Sequence, residues 1–138
     1  MYYEIMDDDK LHEECGVVGL YTSKPNIASQ LIYFGLFALQ HRGQESAGIA
    51  IHTDKKIEFH KDMGLVADVL TSEVVHKFKG DIAIGHVRYS TTGESEKQNA
   101  QPLVVRYKEG SIGLAHNGNL VNANSLRNIL EDSGVIFQ

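Results

Sequence analysis

The chain has 138 residues, room for one domain, with 42% hydrophobic residues, 22% charged residues and a formal net charge of −5. Its Lys and Arg are scattered, which argues against a nucleic-acid surface, and no apolar run is long enough to span a bilayer. One thiol, Cys15, excludes an internal disulfide and a cysteine-based metal site, and it fits a reducing, cytoplasmic setting.

Residues 1–14 carry six carboxylates against Lys10 and His12 and show no apolar periodicity. They read as a separate leader, without the basic start and apolar middle of a secretory signal. The apolar run at 15–21 predicts a buried strand. Asn26 stands where it can cap a helix with an inward stripe of Ile27, Leu31, Phe34 and Ala38, widened by Ile32 and Leu39. That helix is expected to stop in Gln40-His41-Arg42-Gly43, with Gly43 suited to a left-handed closing residue. Residues 48–52 and 57–61 flank a polar turn as a hairpin. A second helix is expected over 68–78, with Val69, Leu70, Val74 and Phe78 inward. A strand at 82–87 then leads into a polar loop over 90–101. Residues 103–106 and 112–116 bracket Lys108-Glu109-Gly110 as another hairpin. Asn122 or Asn124 starts a third helix with Leu126, Ile129 and Leu130 inward, Gly134 closes it, and Val135-Ile136-Phe137 opens an apolar run. Hairpins interleaved with helices predict an α+β layered domain rather than a parallel sheet.

The histidines stand too far apart in sequence to pair on a helix face, and no HExxH pattern occurs, so no metal site is expected from this chain. Glycine-rich nucleotide-binding patterns are also missing. What stands out is chemical. If the chain is cut before Cys15, that residue carries a thiol and a free α-amine together. The amine titrates near pH 7.7–8.0 and the thiol near about 8.5, so the amine can take the thiol proton at working pH.

Four segments extend this reading: Cys15-Gly16-Val17-Val18-Gly19, Gln40-His41-Arg42-Gly43-Gln44-Glu45-Ser46-Ala47-Gly48, Gly85-His86-Val87-Arg88-Tyr89-Ser90-Thr91-Thr92-Gly93 and His116-Asn117-Gly118-Asn119-Leu120. In this order and spacing they resemble the glutaminase domain of the N-terminal-nucleophile, or class II, glutamine amidotransferases. His41-Arg42-Gly43, Arg88-Tyr89 and the leader favour the amidophosphoribosyltransferase branch over sister enzymes of glucosamine phosphate or asparagine synthesis. The resemblance implies a four-layer αββα sandwich with antiparallel sheets, incomplete at the C-terminus, over residues 15–138, after a propeptide at 1–14. It implies Cys15 as nucleophile with its freed α-amine as general base, and Asn117 and Gly118 as the oxyanion hole. Arg88 would hold the glutamine α-carboxylate, Tyr89 would begin a loop closing over glutamine, and Arg42 and Gly43 would shape the pocket wall. The activity implied is release of ammonia from L-glutamine through a cysteinyl thioester. A phosphoribosyltransferase domain beyond Gln138 would combine that ammonia with phosphoribosyl pyrophosphate to give 5-phosphoribosylamine in purine synthesis. Mg²⁺, a [4Fe–4S] cluster and a homo-oligomeric assembly are implied for the full-length enzyme only, none of them supplied by this chain.

Plainer readings stand beside each role. Cys15 alone is a small buried hydrophobe, Asn117-Gly118 alone a hairpin turn, Gly43 a helix cap and Arg88 a structural surface arginine. His86 and His116 are read as structural, because the mechanism needs no imidazole. The alternative functions are the glutaminase domain of another class II amidotransferase, of glucosamine phosphate or asparagine synthesis, a cysteine amidohydrolase acting on a different amide, or an unprocessed inactive domain.

Overall fold

The structure is a computed structural model that describes residues 15–54, 56–89, 96–118 and 120–137. The predicted leader and most of the predicted closing loop, residues 90–95, lie outside the described residues. In chain order the elements are β1 (Gly16–Tyr21), α1 (Ala28–Ala38), β2 (Ser46–His52), β3 (Ile57–Met63), α2 (Val66–Val69), α3 (Ser72–Lys77), β4 (Ile82–Arg88), β5 (Leu103–Tyr107), β6 (Gly110–Leu114) and α4 (Ala123–Asp132). Short 3₁₀ turns cover Pro25–Ile27, Gln40–Arg42 and Lys97–Asn99.

Four strands form one antiparallel sheet in the order β1-β4-β2-β3, and β5 pairs with β6 in a second. The late strand β4 is inserted between β1 and β2. Its register sets Gly16 against Val87 and Ser46 against Arg88. The residues just before β1, just before β2 and at the end of β4 therefore meet at one end of the sheet.

Helix α1 covers one face of the main sheet through Ala28, Ile32 and Leu36, all fully buried. It lies so close that a Cβ on Gly85 would come within 2.7 Å of the Leu36 side chain. The second sheet covers the opposite face, where Gly113 packs over Ala50, Ile57 and Ile84. This explains why β2 is buried from Ser46 to Ile51 without alternation: both of its faces are covered. Helices, main sheet and second sheet thus stack in the predicted α+β order.

Several local expectations are corrected. Asn26 does not cap α1; a 3₁₀ turn led by Pro25 enters the helix through Ile27, with no side-chain cap. The predicted stripe is rotated, with Leu31 and Phe34 exposed and Ile32 and Leu36 inside. The helix is apolar on almost every side, so periodicity alone does not choose a face. Gly43 is extended, at φ −158° and ψ 119°, rather than left-handed. The helix predicted over 68–78 divides into α2 and α3 at Leu70-Thr71, because the Thr71 side chain accepts the Val74 N–H and caps the second piece.

Helix α4 forms where expected and ends as expected. Gly134 at φ +91° lets the Val135 and Gly134 N–H groups return to Leu130 and Glu131. Its apolar stripe is not inward, however: no residue of α4 is buried, and Leu126, Ile129 and Leu130 are exposed. Val135, Ile136 and Phe137 are exposed and form no strand. No helix among the described residues is long and apolar enough to cross a membrane.

Candidate active site

Cys15 sits immediately before β1, half-buried, and its Sγ lies against the backbone of Tyr89, the residue following β4. The Tyr89 N–H donates to Sγ at 3.4 Å, and Sγ stands 3.5 Å from the Tyr89 carbonyl oxygen as a donor. A neutral thiol can use the carbonyl and a thiolate the N–H, so the same backbone receives either form. The Cys15 carbonyl accepts from the Asn117 side-chain amide at 2.8 Å and from Arg42 Nε at 3.3 Å. Residues from all four sequence motifs therefore meet at this one cysteine.

Asn117 belongs to the segment leaving β6. One of its two amide hydrogens goes to the Cys15 carbonyl, which fixes the side chain beside the thiol-bearing residue. Gly118 follows at φ +133°, a conformation that side chains rarely adopt. The turn it makes leads into α4 rather than a returning strand, so the Asn-Gly pair is not a hairpin turn.

Arg88 ends β4 and is almost fully buried, contrary to the surface reading. Sequence reasoning missed its partner. Glu45 accepts from Arg88 Nη1 at 3.1 Å, with only 10% of the Arg88 side chain and 16% of the Glu45 side chain exposed. Their backbones are joined as well, the Glu45 N–H donating to the Arg88 carbonyl at 3.0 Å. A guanidinium taken out of water at a strand end requires an opposing charge, and Glu45 directly precedes the strand that pairs there. That requirement is the signal that could have found it.

Gly43 packs onto the same point. A Cβ there would stand 2.7 Å from the Arg88 nitrogen, so a larger residue would push the end of β4 aside. Close backbone approach, rather than helix capping, is why glycine is needed. Gln40 locks the turn: its Nε2 donates to the Gly43 carbonyl at 2.5 Å, and its Oε1 accepts the Val66 N–H at 2.6 Å. The side chain of Tyr89 itself is exposed. Beyond it, the return end of the loop is fastened to β3. Lys61 Nζ donates to the Ala100 carbonyl at 2.5 Å, and Lys97 pairs with Asp62 at 2.6 Å.

His86 lies one strand position inside this site, on the side facing the second sheet, and is fully buried. Its Nε2 is 3.1 Å from the His116 carbonyl oxygen, which can only accept, so Nε2 carries the proton. Burial, with the nearby Arg88 charge adding to it, pushes the His86 pKa down from 6.5 to about 4, against the opposing pull of the His116 carbonyl. A depressed histidine leaves the unfolded chain holding more protons between those two values, so stability falls as pH drops through that window. The loss is on the order of 3 kcal/mol from this group. Urea unfolding at pH 7 and pH 4.5 checks it: wild type should lose more stability on acidification than His86→Asn, and equal losses would contradict the assignment.

Comparison with known proteins agrees with this geometry. Residues 20–133 match the family model of class-II glutamine amidotransferases. Amidophosphoribosyltransferase of Synechocystis sp. is 52% identical over 126 residues, 91% of this chain and 25% of that protein. Its Archaeoglobus fulgidus counterpart is 54% identical over 123 residues, 89% of this chain and 27% of that protein. Amidophosphoribosyltransferase 2, chloroplastic, of Arabidopsis thaliana is 53% identical, covering 94% of this chain and 23% of its own length. Among solved structures, glutamine phosphoribosylpyrophosphate amidotransferase from B. subtilis, complexed with ADP and GMP, aligns with a TM-score of 0.77 at 47% identity, over 88% of this chain and 26% of that one. A structure described as the allosteric regulatory enzyme of purine biosynthesis aligns at 0.80 with 48% identity, over 88% of this chain and 26% of that one. The chain thus spans about a quarter of the length of the curated relatives it matches. With the motifs meeting at one sheet end and the match running across most of the sequence, the chain belongs to the class-II glutamine amidotransferases, in the branch of the amidophosphoribosyltransferases.

Proposed function

We propose that this chain is the glutamine-hydrolysing part of an amidophosphoribosyltransferase, activated by removal of residues 1–14. The observation that carries the reading is the convergence on Cys15: Tyr89 backbone at the sulfur, Asn117 and Arg42 at the carbonyl, and the Arg88–Glu45 pair beside them.

Glutamine enters with its α-carboxylate on Arg88, whose fork suits two parallel hydrogen bonds. Glu45 fixes one end of that guanidinium and so gives it direction. The freed α-amine of Cys15 takes the thiol proton, and the sulfur attacks the side-chain amide carbon. Charge that builds on the carbonyl oxygen meets the Asn117 NH₂ and the Gly118 N–H. Collapse of the tetrahedral intermediate breaks the C–N bond, with the same amine returning its proton to the leaving nitrogen as ammonia. Water, deprotonated by the amine, then opens the thioester to glutamate and restores the thiol. In the uncut chain the Cys15 nitrogen is an amide without useful basicity, so cleavage after Glu14 acts as the switch.

The released ammonia is delivered to phosphoribosyl pyrophosphate, giving 5-phosphoribosylamine and pyrophosphate, in a homo-oligomeric enzyme of the reducing cytoplasm. Mg²⁺ and a [4Fe–4S] cluster do not fit the residues at hand. No group of three His, Cys, Asp or Glu among the described residues could hold a metal ion, and one cysteine cannot ligate a cluster of that kind. No step is routed through either.

The deciding experiment incubates protein that begins at Cys15 with L-glutamine and follows glutamate and ammonia. Equal yields of both are expected, together with an inert sample when the leader is intact. No glutamate from the processed protein would refute the reading. Pyrophosphate release on addition of phosphoribosyl pyrophosphate tests the acceptor separately.

A further inference from the structure

His116 is exposed, yet its backbone is the most firmly gripped in the segment leaving β6. Its N–H donates to Gln101 Oε1 at 2.7 Å, and its carbonyl accepts from Gln101 Nε2 at 3.1 Å and from His86 Nε2 at 3.1 Å. One side-chain amide thus clasps both polar atoms of a peptide residue, and a fully buried ring closes on the carbonyl from below. The clasp has a prepared seat. His86 pairs with Gly48 in the sheet register, and any Cβ on Gly48 would collide with the Gln101 carbonyl oxygen. Glycine at 48 therefore lets the loop segment carrying Gln101, just before β5, lie directly over the sheet beside His86. The next residues along the chain are Asn117 and Gly118.

We infer that Gln101 and His86 are positioning residues that clamp the His116 backbone and thereby aim the Asn117 amide and the Gly118 N–H at the site above Cys15. Neither side chain touches the reacting atoms. The inference rests on the reading of Asn117 and Gly118 as the oxyanion donors. Donors of this kind act only while their direction is held, because reorientation during the reaction cancels their benefit. Among the described residues the Asn117 side chain has one hydrogen bond of its own, to the Cys15 carbonyl. The clamp supplies the restraint on the backbone that carries it.

The test uses the full processed protein with Gln101→Met, which keeps the length of the side chain and removes both of its hydrogen bonds. Two readouts are taken: hydrogen–deuterium exchange of the peptide spanning 115–118, and glutaminase kinetics. Exchange in that peptide should accelerate while the rest of the chain is unchanged. The kcat should fall between about 10- and 100-fold, with KM for glutamine within about two-fold. Alkylation of Cys15 by iodoacetamide, which develops no oxyanion, should keep its wild-type rate. His86→Phe should act in the same direction. Where that variant fails to fold, the half-buried Gln101 decides alone. Unchanged exchange overturns the clamp, whatever the kinetics. Faster exchange with an unchanged kcat, or kcat and alkylation falling together, overturns the positioning role. A wild-type protein without glutaminase activity would instead sink the functional reading, and the exchange arm would still decide the clamp.

Discussion

Cys15→Ala, made in protein that begins at residue 15, removes glutamine hydrolysis by at least about 10⁴-fold while leaving the fold and the binding of glutamine in place. The change deletes the sulfur but keeps the α-amine, so it separates the nucleophile from its base. Packing offers little reason for collapse, because Cys15 is half-buried and among the described residues its Sγ hydrogen-bonds with the backbone of Tyr89 alone. The side-chain hydrogen bonds from Asn117 and Arg42 reach the backbone carbonyl of residue 15, not its sulfur, and survive. Glutamate release measured over hours checks the rate, and calorimetric titration with glutamine checks the binding. Residual turnover within ten-fold of wild type would place the chemistry on another group. The complementary sample keeps Cys15 and the leader. It should be as inactive as the alanine variant, because its sulfur has no neighbouring amine to take the proton.

The second large effect is at Asn117. Loss of one oxyanion donor costs roughly 2.7–4 kcal/mol in transition-state stabilisation, or about 10²–10³-fold in kcat. Asn117→Ala should show that loss in kcat with KM for glutamine little changed, since the ground-state carboxylate is held elsewhere by Arg88. Asn117→Asp is the sharper variant. It preserves size, replaces the donor by an acceptor, and sets a carboxylate beside the Cys15 carbonyl that Asn117 contacts at 2.8 Å. Its kcat should fall at least as far as that of the alanine variant. Steady-state kinetics on both, with alkylation of Cys15 as a control on the thiol, decides the assignment. An aspartate variant more active than the alanine variant would remove Asn117 from the oxyanion site.

The strands were readable because turn residues and apolar runs mark them, and the order of hairpins and helices was enough to fix the α+β class. Strand order was not readable. Nothing local in residues 82–88 says that β4 enters between β1 and β2, yet that insertion brings Arg88 to Cys15. The inward face of α1 was hidden for a related reason. A helix apolar all round presents several plausible stripes, and tertiary packing on Gly85 chose the one through Ile32 and Leu36. For α4 the opposite holds. Its stripe is plain in the sequence, but nothing among the described residues buries it. Within the candidate site, Cys15, Arg42, Tyr89 and Asn117, which the fold brings together, were singled out in advance by their motifs. Gln40 and Gln101 could not, because each acts by holding the backbone of residues that only the fold brings to it, Val66 and His116. Gly43 shows the same limit: its motif singled it out, but only the packed strand end explains the need for glycine.

The separation between Cys15 and its sulfur's partner at Tyr89 is 74 residues, and among the described residues β1 pairs with β4 alone. During synthesis, then, Cys15 emerges first but stays unassembled until the ribosome has released the strand that receives it. Closing so wide a loop is slow and entropically costly compared with the hairpins formed in between. The end of the sheet that gathers the four motifs is therefore completed late in folding.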